Sequence, residues 1–148
     1  MMPETAAPTQ DGGAQPDGDG WEAGAFDRWL AAQKITDEPR PSIIADIVGH
    51  PRGMPSVEEL DYMNPDLSDD SIRRHLKELA DVGVVIETEI PKGERLRDFP
   101  RKFYEISDDA RELFDENGWF PEGAWKRQYE AVSKTDRIRD LEEMPRPK

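Results

Sequence analysis

The sequence predicts a mainly α-helical fold with a small β-hairpin, an added C-terminal helix and a disordered N-terminal tail. Three features predict it. Several capped segments carry apolar residues at helical spacing, one pair of β-branched segments is joined by a long basic loop, and the first 20 residues have almost nothing to bury. At 148 residues the chain holds about one domain's worth of core.

Residues 1–20 are MMPETAAPTQDGGAQPDGDG, rich in Pro, Gly and Asp, and read as a disordered acidic tail. Residues 21–40 form a second unit, a short amphipathic helix and linker, in which Phe26, Trp29 and Leu30 fall at i, i+3 and i+4 before the EPRP run breaks it. The main domain spans 41–120. It opens with a helix after Pro41 whose stripe is Ile43, Ile44, Ile47 and Val48, ended by GHPRGMP.

Ser56 then acts as an N-cap, with Glu59 placed to complete a capping box and Val57, Leu60 and Met63 facing inward. Asn64-Pro65 stops this short helix. Ser68 caps the next one, Asp69 and Asp70 suit the positive end of its dipole, and Ile72, Leu76 and Leu79 form its buried stripe. Gly83 sits where a left-handed cap would release the chain into VVIETEI. Residues 91–100 make a long tip, and Arg101 to Ile106 return as the second strand. Ser107 caps a helix with Ala110, Leu113 and Phe114 inward. In 121–148 a last helix places Trp125, Tyr129 and Val132 on one stripe, continued by Ile138 and Leu141.

Two helices around a tight turn followed by a strand pair is the helix-turn-helix plan with a wing, so the predicted architecture is a winged helix-turn-helix. Across SIRRHLKELADVGVV the chain resembles the winged helix-turn-helix transcription regulators, and among them the ArsR-like group, which show a similar Ser, Arg-His-Leu, Leu, Gly-Val succession. The resemblance covers about residues 41–106. GHPRGMPSVEELDYMNPDLS and YEAVSKTDRIRDLEEMPRP are also similar to segments of small winged-helix proteins common in haloarchaea. What the resemblance implies is a regulator that binds double-stranded DNA. The thiolate metal sensing found in the ArsR-like group is excluded here, because the chain has no cysteine.

Composition narrows the chemistry further. Without cysteine there is no disulfide framework and no thiolate site, and two isolated histidines make a poor metal site. No phosphate-cradling glycine loop or nucleophile elbow occurs, so neither enzyme activity nor a cofactor is expected. With no signal-like segment and no apolar run near the roughly 20 residues a bilayer needs, the expected location is the cytoplasm, away from the membrane. The 33 acidic residues against 20 basic ones give a formal net charge of −13, opposite to the footprint of most DNA readers. A hydrated acidic surface around an ordered core fits a high-salt cytoplasm, where the Debye length shrinks to about 3 Å at 1 M.

The residues expected to touch DNA follow from helix geometry. At about 100° per residue, the stripe of Ile72, Leu76 and Leu79 leaves Asp70, Arg74, Lys77 and Asp81 outward, with Ser71 and Arg73 on the flanks. Arg73 or Arg74 could pair with guanine and Lys77 with backbone phosphate. In the wing, Lys92, Arg95, Arg97, Arg101 and Lys102 face only Glu94 and Asp98, a local net of +3. That suits phosphate or the narrow minor groove, and it also suits protection of a hairpin edge. His75 reads as a half-buried packing residue and His50 as plain loop.

Trp125, Tyr129, Val132, Ile138 and Leu141 exceed what a small domain easily covers, so they are the expected contact of a homodimer, with folding of the helix back onto its own domain as the alternative. Two readings of function remain: a sequence-specific DNA-binding regulator, or a winged-helix module that docks a protein with the same surface. The acidity itself carries an expectation. Urea midpoints should rise between low salt and about 2 M KCl as screening removes self-repulsion, and a chain most stable in dilute buffer would contradict the high-salt reading.

Overall fold

The computed structural model describes residues 26–147. The expected tail at 1–20, the Trp21 start of the next unit and Lys148 lie outside the described residues. The elements run α1 (Arg28–Ile35), α2 (Arg40–Gly49), α3 (Val57–Met63), α4 (Asp69–Asp81), β1 (Val85–Glu89), a 3-10 turn at Lys92–Glu94, β2 (Lys102–Ile106), α5 (Asp108–Asn117), α6 (Glu122–Ala131) and α7 (Asp136–Glu143). Mainly α with a two-stranded antiparallel hairpin, this is the winged-helix arrangement expected from the sequence.

Helix starts are set locally. The Ser56 hydroxyl accepts from the Glu59 amide while the Glu59 carboxylate accepts from the Ser56 amide, the full capping box. Ser68 caps α4 through the Ser71 amide, and Ser107 caps α5 through the Ala110 amide. Pro41 lies in the first turn of α2, where its missing N–H has no helical acceptor to lose, so that helix begins at Arg40, two residues before the expected start. Gly83 takes φ +80°, releasing the chain from α4 into β1, and its carbonyl accepts the Ser107 hydroxyl at 2.6 Å.

The strands pair Val85 with Ile106, Glu87 with Tyr104 and Glu89 with Lys102. Strand alternation therefore splits the hairpin between two apolar clusters. Val85, Tyr104 and Ile106 join the main core with Ile43, Ile44 and Ile47 of α2, Leu60 of α3, Ile72, Leu76 and Leu79 of α4, and Leu113 and Phe114 of α5. Phe103 and Ile90 join a second cluster with Met54 and with Ile138, Leu141 and Met144 of the C-terminal segment. The wing base is thus covered on both faces.

Two sequence expectations are corrected. The face of α1 is Ala31 and Ile35, both buried, whereas Trp29 is 73% and Leu30 39% exposed. Asp27 caps the helix, so Phe26 precedes it and cannot share its face; its ring instead covers Gly83, where a Cβ would stand 3.0 Å away. The single C-terminal helix is in fact two. Val132 is extended at φ −78°, ψ 131°, and Thr135 caps α7 through the Ile138 amide. The step from Val132 to Ile138 is six residues, which no helical stripe permits, and Thr135-Asp136 reads as a helix start.

That break changes where the apolar side chains go. Tyr129 is buried against Gly49 and His50, Ile138 and Leu141 fill the second cluster, and Trp125 packs half-buried on the main core, leaving Val132 the most exposed of the five. Most of the apolar surface expected to meet a partner helix is covered within the chain itself. α6 lies close along α2: a Cβ on Gly49 would fall 2.6 Å from the Trp125 carbonyl oxygen and 3.1 Å from Tyr129 Cβ. Gly49→Ala is therefore expected to cost about 1–3 kcal/mol by overpacking, read from urea unfolding. The control Gly123→Ala, with Arg127 Nη1 as its nearest neighbour at 3.6 Å, is expected to be neutral or stabilising. Equal effects at the two glycines would refute the close-approach explanation.

Candidate nucleic-acid interface

The outward face of α4 is the one expected. Ile72, His75, Leu76 and Leu79 are buried, while Asp70, Arg73, Arg74, Lys77 and Asp81 are exposed and Ser71 is half-buried. What anchors the helix from behind is Arg40, nearly buried at the start of α2. Its Nε donates to His75 Nδ1 at 3.0 Å, its Nη1 donates to the Lys34 carbonyl at 3.1 Å, and its Nη2 pairs with Glu78. Burial, then the charges of Arg40 and Arg74, hold the His75 pKa below its ordinary value, so the ring is neutral and Nδ1 can accept. His75 is a packing residue with a defined partner.

The turn between α3 and α4 is held by Asn64. Its amide nitrogen donates to Asp46 Oδ2 at 2.8 Å and to the Leu60 carbonyl at 2.9 Å, while its carbonyl oxygen accepts the Ser42 hydroxyl at 2.7 Å. Burial pushes the Asp46 carboxyl up to about 7, against the lowering effect of the Asn64 hydrogen bond. The turn before α4 and the middle of α4 are thereby both referred to α2.

Helix and wing bring cations to common ground. Arg73 and Arg101, with Val57, Glu58, Asp69, Phe99 and Tyr104, line a cleft between α3, α4 and the wing. Lys102 lines it too. Arg73, Lys77 and Lys102 also border the adjoining groove between α4 and the hairpin. Arg74 is exposed on α4 outside both clefts, and Lys92 and Arg97 stand exposed near the wing tip. Arg95 is turned back: its Nε donates to the Ile90 carbonyl at 3.1 Å and its Nη2 to Glu89 at 2.6 Å, bracing the tip instead of facing outward.

Half of these cations sit beside acids. Arg73 is 3.9 Å from Asp70, Lys77 3.4 Å from Asp81 and Lys102 4.0 Å from Glu87, whereas Arg74, Lys92, Arg97 and Arg101 make no ion pair among the described residues. Exposed pairs of this kind contribute about 0–1 kcal/mol, so a phosphate can displace the carboxylate. Among the described residues no group of three or more His, Cys, Asp or Glu could hold a metal, and no helix is long and apolar enough to cross a membrane.

One solved structure matches nearly the whole chain. It is a protein from Halomicrobium mukohataei described as having a GntR superfamily winged-helix-turn-helix domain, 31% identical, with a TM-score of 0.72 and 93% of each chain covered. This chain belongs to the winged-helix-turn-helix family. No protein-family model matches it, and no curated protein does.

This winged-helix protein also holds a buried polar cluster that sequence reasoning missed. His50, expected as plain loop, is fully buried, as is Glu59. The His50 Nδ1 accepts the Arg52 amide at 3.1 Å, which leaves Nε2 to donate to Glu59 Oε2 at 2.6 Å. Arg146, from the tail after α7, donates through Nη2 to Glu59 at 3.1 Å and through Nε to the Met54 carbonyl at 2.7 Å. Only the capping half of the Glu59 role had a local signal. The Arg146 contact joins residues 87 apart, and nothing in either neighbourhood announces it.

Burial works to raise the Glu59 pKa, but the His50 hydrogen bond, the Ser56 amide and the Arg146 charge outweigh it, so the net shift is downward. A carboxyl with a depressed folded-state pKa adds stability above its unfolded value and loses it as pH falls through the folded value. Glu59→Gln is therefore expected to cost about 3 kcal/mol at pH 7 by breaking a buried pair and to flatten the loss of stability below about pH 4.5. Urea unfolding across that range reads both, and a loss under about 1 kcal/mol with an unchanged acid limb would contradict the assignment.

Proposed function

We propose that the protein is a sequence-specific DNA-binding transcriptional regulator, a binding protein and not an enzyme, that places helix 69–82 in the major groove and wing 91–102 on the backbone or in the minor groove. The observation that carries this reading is the convergence of Arg73, Lys77, Arg101 and Lys102 on the adjoining clefts between α4 and the wing. Arg73 and Arg74 are the base-reading candidates, since a guanidinium can engage guanine through two hydrogen bonds. Lys77, Arg101, Lys102 and the tip residues Lys92 and Arg97 fit phosphate, and the Ser71 hydroxyl fits either. Arg95 has the weaker claim because its donors are engaged.

Pairing of the cations with acids bears on how an acidic chain could bind a polyanion. Each paired cation that moves to a phosphate, as Arg73, Lys77 or Lys102 would, leaves a carboxylate to take up a counterion, which offsets the counterion released from DNA. Five to eight phosphate contacts alone would give a log–log salt slope of roughly −4.5 to −7. The same pairing favours a second reading, a module that docks a protein of mixed charge without binding DNA.

Within the family, the succession Ser71, Arg74-His75-Leu76, Leu79 and Gly83-Val84 supports an ArsR-like recognition helix, while the acidity and the haloarchaeal-type segments support a high-salt source and a cytoplasmic location. A two-fold homodimer belongs to the proposal, setting its recognition helices about 34 Å apart. Of the residues expected at its contact, Trp125 and Val132 keep surface.

Selection of duplexes from a randomised library in high KCl, followed by anisotropy titration, tests the proposal. The expected outcome is an enriched sequence bound with a slope shallower than about −4.5, and a loss of about 1–3 kcal/mol on Arg73→Ala or Arg74→Ala at the base each reads. Light scattering of the complex should give two chains per duplex. An empty selection across several salts would leave the protein-docking reading, and a slope near −7 would remove the counterion argument.

A further inference from the structure

We propose that Arg137 of α7 is a positioning residue for the wing: it fixes the wing's angle to the helix-turn-helix without itself being one of the DNA-reading cations. The functional half of this inference rests on the DNA-binding reading above, and the mechanical half does not. Arg137 joins three separate stretches of chain. Its Nε and Nη2 donate to the two carboxylate oxygens of Glu58, on α3, at 2.9 and 3.0 Å. The same Nη2 donates to the Asp98 carbonyl in the wing at 2.7 Å, and the guanidinium lies 5.1 Å from the Phe99 ring centroid.

The receiving backbone is arranged for this contact. Asp98 has φ +67°, an uncommon conformation for a residue with a side chain, and it is the residue whose carbonyl Arg137 takes. Phe99 packs on the second cluster, which also contains Ile138, the neighbour of Arg137. A second arginine repeats the pattern lower on the hairpin. Arg146 lies 4.5 Å over the Phe103 ring of β2 and donates to Glu59 of α3. The hairpin is therefore referred to α3 at Phe103 of β2 by Arg146 and beyond β2, toward the tip, by Arg137.

Charge adds a second consequence. Glu58 lines the same cleft as Arg73 and Arg101, where an unpaired carboxylate would repel phosphate. The forked Arg137 contact neutralises it. Because the Arg137 and Glu58 side chains are each more than two-fifths exposed, their pairing is worth little to global stability. An effect on the wing is thus separable from an effect on folding.

The chain has no cysteine, so cysteines introduced at exposed Leu96 in the wing and exposed Asp115 on α5 report the wing position through a spin-label distance. The parent pair is expected to give one narrow distribution, and Arg137→Ala a broadened one at unchanged Tm. The exchanged pair Glu58→Arg with Arg137→Glu restores the α3 link but not the Asp98 bond, since a carboxylate cannot donate to a carbonyl, so its distribution is expected to stay broad. On selected duplex, Arg137→Ala is expected to weaken binding about five- to tenfold through lost pre-organisation.

An unbroadened distribution in Arg137→Ala would overturn the inference, as would a fall in Tm that accounts for the lost affinity. Broadening with full affinity would overturn the functional half. If the parent binds no duplex while the variant still broadens, the DNA-binding reading has failed and the mechanical bracket stands.

Discussion

Burying a carboxylate costs several kcal/mol unless the protein supplies charge and hydrogen bonds in place of water. Glu59 meets that requirement with four partners: the Ser56 amide and hydroxyl, His50 Nε2, and the Arg146 guanidinium. These partners come from three separate parts of the chain. Ser56 is the start of α3, His50 is the loop after α2, and Arg146 is the tail that crosses behind the wing. Satisfying one charge therefore requires all three parts to be in place together, and any arrangement that separates them leaves a buried ion alone.

From that point the geometry of the interface follows in steps. α3 is fixed by its cap and by Leu60 in the core, and the Asn64 network sets the turn into α4 against Asp46 and Ser42 of α2. Arg40 holds the back of α4 through His75 and Glu78. The hairpin is closed on one face by the main core and on the other by the C-terminal cluster. Apolar burial supplies most of the cohesion, yet it is non-directional. The directional contacts, chiefly from Arg40, Arg137 and Arg146, decide how helix and wing face one another.

What could be read from the sequence was what is encoded locally. The caps at Ser56, Ser68 and Ser107, the stripes of α2, α4 and α5, the Gly83 release and the hairpin all depend on residues within a turn or two of each other. Placement of the α4 cations was also legible, because a buried stripe dictates the opposite face. The long-range failures share one cause. The fate of His50, Arg137 and Arg146 depends on partners far along the chain, and the folding back of α6 and α7 depends on an apolar face of the hairpin that alternation implies but does not assign. The bracing contacts of Arg95 are illegible for a nearer reason: net charge counts cations without asking which are tied to a carbonyl or carboxylate. The α1 face failed because three apolar residues at helical spacing were credited without locating the cap at Asp27.

The Glu59–Arg146 contact also orders events in time. Synthesis proceeds from the N-terminus, and Arg146 is made 87 residues after Glu59. At about 5–20 residues per second, that interval is several seconds or more. During it α3 can cap and the main core can gather, but the carboxylate lacks its guanidinium and Phe103 lacks its cover from α7. A nascent chain thus carries an unfinished wing, and the apparatus that would face a nucleic acid is completed only after the segment bearing Arg137 and Arg146 has left the ribosome.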